Sequence, residues 1–214
     1  MRGGAALLAV LASSLLTACM SLGLGGDTPA QTQYLLTDAA AATVARRGEP
    51  VVVALLIQPT SSDAAADTVA IAYSRRQNEF AYYQFATWTE RPLRQIPRLL
   101  QQRLEARGVA EAVGVIGEPL RTDWLLTVAI DSLHHDVSAP PGQARVALTA
   151  ELFDRRNRTR LGRRQFSVSV PTASADAPAA TAAISQALSQ VFDDLVPWLE
   201  AALPPAVAKA AAAR

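Results

Sequence analysis

The sequence predicts an α+β fold: a single domain with a mixed, largely antiparallel sheet and two main helices packed on one face. Three observations predict it. Residues 90–107 and 179–203 carry apolar side chains at helical spacing. Residues 123–133, 145–153 and 160–170 alternate apolar and polar side chains, the period of half-buried strands. Residues 51–57 form an unbroken β-branched and aliphatic run ended by Pro59, the pattern of a buried strand.

Taken in chain order, residues 20–33 are small and polar, with Gly23, Gly25, Gly26 and Pro29, and read as a flexible tether. Residues 33–36 make a short strand and 51–57 a buried one, whereas 64–67 carries too weak a pattern to assign. Residues 69–73 and 79–85 read as a hairpin turning through Arg75-Arg76-Gln77-Asn78. In the first helix Leu93, Ile96, Leu100 and Leu104 form the apolar face. Arg94, Arg98, Gln101, Arg103 and Arg107 form the solvent face, and Gly108 supplies the stop. Pro92 suits the first turn; Pro97 marks either the start of the regular helix or a kink. A short strand at 113–116 precedes a three-stranded antiparallel meander. Its middle strand points Val146, Leu148, Ala150 and Leu152 inward and Arg145, Thr149 and Glu151 outward. Arg164 is the exception beside Phe166, Val168 and Val170. After a small-residue linker at 171–178, the second helix carries the stripe Ile184, Leu188, Val191, Leu195 and Trp198, with a kink expected at Pro197. The alanine-rich tail is expected to fray.

The chain has 214 residues, a net charge of +1 and one cysteine. The charge balance argues against a nucleic-acid or polyanion binder. Half the residues are hydrophobic, but much of that is alanine, so the core must come from the Leu, Val, Ile and aromatic positions.

The single cysteine, Cys19, closes the sequence Leu16-Thr17-Ala18-Cys19 after Arg2 and an apolar run from Ala5 to Leu16. That order is a signal peptide ending in a lipobox. The run is too short to span a membrane comfortably, which takes about 20 apolar residues. The alternatives are a chance cysteine near an ordinary cleavage site and an uncleaved anchor. A thiolate is the natural nucleophile for thioether formation with diacylglycerol. Each buried CH₂ of the acyl chains then adds about 0.8 kcal/mol to anchoring. The expected organisation is a signal peptide at 1–18, a tether at 19–33, a domain at 34–203 and a disordered tail at 204–214. With Cys19 lipidated, no thiol remains for disulfides or a thiolate metal site.

Candidate chemistry is sparse. His134-His135-Asp136 is the only histidine cluster, and neighbours in a strand point to opposite faces, so both imidazoles cannot reach one metal. A polar strand end or loop is the simpler reading. There is no Gly-x-Ser-x-Gly elbow and no glycine-rich phosphate loop, so no catalytic residue, metal or cofactor is assigned. Arg155, Arg156, Arg158, Arg160, Arg163 and Arg164 cluster around a predicted turn. A solvated hairpin tip explains them; the sharper reading is contact with lipid headgroups or an acidic partner, joined by Arg75 and Arg76 if the fold brings them close. Tyr73, Phe80, Tyr82, Tyr83, Phe85 and Trp88 fall in one stretch. Core packing is the default for them, and a partner surface is the alternative.

These pieces together resemble the ABC-type transport auxiliary lipoproteins, the group that includes paraquat-inducible protein C. The resemblance runs from Cys19 and Tyr34-Leu35-Leu36 through the 51–57 strand, Ile71-Ala72-Tyr73, residues 79–83, Trp88 and Pro92. It continues with the helix ending at Gly108, residues 125–130 and 146–154, Phe166, and the helix closing on Trp198-Leu199. Pro97, Pro197 and the alanine-rich tail depart from it. The resemblance implies a non-enzymatic periplasmic lipoprotein. It would serve an ABC permease and ATPase system with a mammalian-cell-entry (MCE) domain protein, moving lipids or other hydrophobic compounds between membranes. It also allows a homo-oligomeric ring. Met20, rather than Asp, after Cys19 favours sorting to the periplasmic face of the outer membrane. A structural or regulatory envelope lipoprotein, such as a cell-wall synthase activator or lipopolysaccharide-assembly partner, is the competing reading.

Overall fold

A computed structural model describes residues 30–204 except residue 62. The predicted signal peptide, most of the tether and nearly all of the tail therefore lie outside the described residues, Cys19 among them.

Eight strands and two helices follow one another as β1 (Thr32–Tyr34), β2 (Val52–Ser61), β3 (Ala70–Ser74), β4 (Ala81–Trp88), α1 (Pro92–Arg107), β5 (Ala110–Val115), β6 (Trp124–Asp136), β7 (Gln143–Asp154), β8 (Thr159–Pro171) and α2 (Ala177–Ala202). All eight strands join one sheet, and β6 organises it. One edge of β6 pairs antiparallel with β7 along its whole length, from Trp124↔Asp154 to Asp136↔Gln143. The other edge is shared: Leu125 to Ile130 pair parallel with β2, and His135 and Asp136 pair parallel with β3. β5 flanks β2, β4 and β1 continue beyond β3, and β8 closes the meander beyond β7. The two longest ladders, β6–β7 and β7–β8, are the predicted antiparallel meander.

Both helices cover the same face. α2 lies on β7 and β8, α1 on β5 and β2, and the helices meet side by side. The alternation of the meander is why: Leu126, Val128, Ile130, Val146, Leu148, Ala150 and Leu152 are all buried beneath the helices. α2 answers with Ile184, Leu188, Val191, Leu195 and Leu199, each almost wholly buried. Burial of each such side chain is worth about 1.5–3 kcal/mol. Alanine contributes more to the core than its size suggests. Ala180, Ala183 and Ala187 are buried on α2 and face a sheet that itself buries Ala144 and Ala150.

The helix ends follow local chemistry. Asp176 caps α2 by accepting from the Ala179 amide at 2.9 Å and the Ser174 hydroxyl at 2.7 Å. Pro92 occupies the first turn of α1, and Gly108, at φ 73°, stops it as expected, its amide returning to the carbonyls of Leu104 and Glu105. Neither internal proline ends its helix. α1 starts at Pro92 rather than Pro97, and α2 runs through Pro197 to Ala202. Pro197 is exposed, as is Asp193, whose carbonyl it leaves without an intrahelical partner, so water can satisfy that carbonyl.

Several expectations are corrected. β2 does not end at Pro59 but runs to Ser61. The Ile57 carbonyl accepts from Ile116 on the β5 side, and alternate residues face the same edge, so the missing Pro59 amide points where β5 has already ended. Residues 64–67 form a 3₁₀ turn, capped by Asp63 accepting from the Ala65 amide, that buries Ala65 and Ala66. The 69–73 and 79–85 hairpin exists, shifted to β3 and β4. Its register slips between Ala72↔Tyr82 and Ala70↔Thr87, so β4 bulges and the two-residue alternation of a regular strand breaks there.

The largest correction is Arg103. Read as a solvent-facing helix residue, it is 1% exposed. Its Nε and Nη2 grip both oxygens of Asp38 at 2.7 and 2.5 Å, and Nη1 reaches Asp193 of α2 at 2.5 Å. The Ser189 hydroxyl adds a bond to Asp38 at 2.8 Å. One guanidinium thereby joins α1, α2 and the segment that follows β1. Burial alone would lower its pKa. Hydrogen bonds to Asp38 and Asp193, and their charges, outweigh that and raise it. One turn further, Arg107 and Arg47 converge on Glu200 at 2.7 and 3.2 Å.

Candidate interaction surfaces

The sites singled out in the sequence lie on both faces of the sheet and at its two ends. His134 and His135 occupy the end of β6 and point to opposite faces, as strand geometry requires. His134 sits beside the Ser132 hydroxyl at 2.9 Å and edge-on to Phe80. His135 is fully buried. Its Nδ1 lies 2.7 Å from the Tyr83 hydroxyl and its Nε2 3.0 Å from the Thr172 hydroxyl. Thr172 donates its own proton to the Pro141 carbonyl at 2.9 Å, so it accepts from Nε2–H, and Tyr83 must donate to Nδ1. The chain is satisfied only with a neutral imidazole. Burial lowers the His135 pKa and pushes the Tyr83 hydroxyl up to about 12, with Asp176 and Tyr73 adding to the latter. These groups are a structural lock. Among the described residues no three His, Cys, Asp or Glu side chains converge to hold a metal.

The aromatic stretch divides between both readings made of it. Trp88 belongs to the core at 3% exposure, and Tyr83 packs against Tyr73. Phe80, Tyr82 and Phe85 stay 44–49% exposed on the β4 side. Tyr73, Tyr82, Tyr83, Arg75 and Pro140 line a cleft of about 420 Å³ beside them.

The six arginines are all exposed at the β7–β8 hairpin. The turn is built by Asp154, which accepts from the amides of Arg156 and Asn157, and Arg158 takes the left-handed conformation at φ 55°. Arg156 pairs with Asp123, and Arg155 donates to the Thr122 carbonyl at 3.2 Å. Arg160 and Arg163 share Glu151 at 2.8 and 3.4 Å on the open face. Arg164 points the other way and lies over the Phe166 ring at 5.0 Å. The cluster is therefore split between two faces and a turn. Arg75 and Arg76 do not join it. They follow the β3 end paired to Asp136, whereas the arginine turn adjoins Trp124, so the length of β6, about 3.3 Å per residue, separates them.

Sequence reasoning missed Arg103 and the role of His135. A signal for Arg103 existed: it follows Ile96 by seven residues and Leu99 by four, on the buried side of the helix. His135 offered none, because its partners Tyr83 and Thr172 are distant in sequence.

No helix among the described residues is long and apolar enough to cross a membrane. Fold and surfaces together define an α+β domain with both helices on one face of the sheet and no helix on the other among the described residues. The model of the ABC-type transport auxiliary lipoprotein component family matches residues 34–196, and the chain belongs to that family. A comparison with curated protein sequences found no match. Among solved structures, a protein from Xanthomonas campestris is similar in fold at TM-score 0.70 and 24% identity, over 80% of this chain and 96% of that one. An uncharacterized protein follows at TM-score 0.61 and 14% identity, over 79% and 99%.

Proposed function

We propose that this chain is the lipid-anchored accessory component of an ABC-type transport system that includes an MCE-domain protein. It would move lipids or other hydrophobic compounds between the two membranes and act by protein–protein contact rather than catalysis. The observation that carries this is the family match across residues 34–196, nearly the whole described domain. Cys19 is the acylation site, 19–33 the tether, 34–203 the working domain and 204–214 a tail. Met20 directs the protein to the periplasmic face of the outer membrane. The exposed aromatics of β4 and the arginines of the β7–β8 hairpin are the surfaces offered to partners or headgroups, and a homo-oligomer is compatible with them.

The test is affinity purification of the full chain in mild detergent. Recovery of the permease, ATPase and MCE protein supports the reading, and recovery of a cell-wall synthase alone overturns it. Cys19→Ser should leave the domain folded and release it from the membrane fraction. Retention after a salt wash would show that the lipobox is not the anchor.

A further inference from the structure

The meander ends in a long strand whose outer edge has no neighbouring strand among the described residues. β8 pairs only with β7 among the described residues, so about half of its backbone amides and carbonyls face an unoccupied edge. Natural sheets blunt such edges with proline, inward charges, bulges or brevity. β8 has a register slip where Gly162 gives way to Arg160, and Pro171 closes its far end. Between them Gly162 to Val170 pairs with β7 in regular register, and Gln165-Phe166-Ser167-Val168-Ser169-Val170 carries no charge, no proline and no bulge. That stretch is kept competent to pair.

The charge beside it is unevenly matched. On the open face β7 places Glu151 opposite Arg163, and Glu151 also holds Arg160. On the helix face β7 places Ala150 opposite Arg164, which has no cross-strand carboxylate and rests on Phe166 instead. Arg158, at the turn, makes no ion pair among the described residues. A strand added at the open edge would bring one residue opposite Arg164, where an acidic side chain completes the pair that Ala150 cannot.

We propose that the free edge of β8 from Gly162 to Val170 receives an extended, acidic segment of a partner protein, which adds as a further strand with a carboxylate opposite Arg164. Main-chain bonds supply the affinity, and Arg164 with Arg158 selects the charge. The idea rests on the reading that this domain works by protein contact, and it specifies where.

The experiment uses the full chain in detergent and a labelled peptide alternating threonine and valine with one glutamate, followed by fluorescence anisotropy. A control peptide is N-methylated at alternate residues, which preserves composition and charge but removes one edge of hydrogen bonds. The unmethylated peptide should saturate the protein and the methylated one should not. Arg164→Glu should weaken binding about tenfold, and a lysine in place of the peptide's glutamate should restore it. Circular dichroism checks that Arg164→Glu remains folded. Equal binding of the methylated peptide, indifference to Arg164→Glu, binding of anionic phospholipid vesicles alone, or occupation of the edge by a second copy of the chain would each overturn the proposal. Failure here with intact recovery of the transporter components would remove β8 as the site and leave the proposed function standing.

Discussion

The cluster around Arg103 and the cluster around His135 are both polar and both buried, yet the first is charged and the second neutral. Arg103 brings five N–H donors into the interior, which only carboxylates at close range can compensate. It therefore gathers Asp38 on one side and Asp193 on the other, and Asp193 keeps 57% of its side chain in water. His135 has one donor and one acceptor when neutral, and Tyr83 and Thr172 match them one for one. The difference shows how two kinds of polar group enter a core. A permanent cation requires several elements to converge on it, and so it ties them together. A titratable ring requires only two partners and loses its fit when it gains a proton.

The sharpest way to break the comparison is Arg103→Ala. It leaves the Asp38 side chain, 1% exposed, without its cation, and losses from breaking a buried pair run about 3–5 kcal/mol. Urea unfolding of the folded domain should show a loss in that range. Arg103→Met combined with Asp38→Leu should recover much of it, since apolar replacement of a whole buried pair is often neutral. A single substitution costing under about 1 kcal/mol would mean that the guanidinium does not hold the three segments together.

Next in size is Gly142→Ala, which probes the neutral cluster while leaving its hydrogen-bonding side chains unsubstituted. Gly142 sits at φ 100°, and a Cβ there would meet His135 Nε2 at 2.5 Å and the Asp136 carbonyl oxygen at 2.6 Å. Backbone strain of this kind costs about 1–3 kcal/mol, and the clash adds to it. Introduced into a His135→Ala background, the substitution should cost less, because the nearest of its obstacles is gone. The cost should not vanish, because the Asp136 carbonyl remains. Equal costs in both backgrounds would uncouple Gly142 from the imidazole.

These two clusters also mark where the sequence stops being legible. The meander was readable because its middle strand has one face under α2, which keeps Val146, Leu148, Ala150 and Leu152 apolar, although Thr149 on the other face, read as outward, is also buried at 7% beside Asp131. The helices were readable from spacing and from Gly108. The β3–β4 hairpin was readable as a pair but not by face, because the bulge in β4 shifts the parity between Tyr82 and Thr87. Arg103 was misread because charge outweighed position in the reading, although its spacing from Ile96 and Leu99 placed it inward. Asp38 lies 65 residues away from it and Thr172 lies 37 from His135, and no local pattern announces such partners. The arginine cluster was visible as composition, while its division between Glu151, Asp123 and Phe166 depends on strand register.

The smallest effect separates the clusters by pH. Burial holds the His135 pKa below its ordinary 6.5, so below that value the unfolded chain binds a proton that the folded chain refuses. Its stabilising contribution is complete above pH 6.5 and is lost as pH falls beneath it. His134, also lowered by burial, acts in the same direction. Asp136 follows in a lower window. Hydrogen bonds from the side chain and amide of Ser138, with Arg145 at 2.7 Å, hold it at about 2, so its contribution is present above 3.8 and fades toward pH 2. Arg103, with its pKa raised, keeps its proton throughout and contributes no slope. Urea midpoints should therefore fall between pH 7 and pH 5 in the native chain, and fall less in His135→Gln, which retains only the share of His134. Arg103→Met combined with Asp38→Leu, which removes both buried charges, should keep the native slope. An identical slope in His135→Gln would show that the proton is taken up elsewhere, and that the neutral cluster is no more pH-sensitive than the charged one.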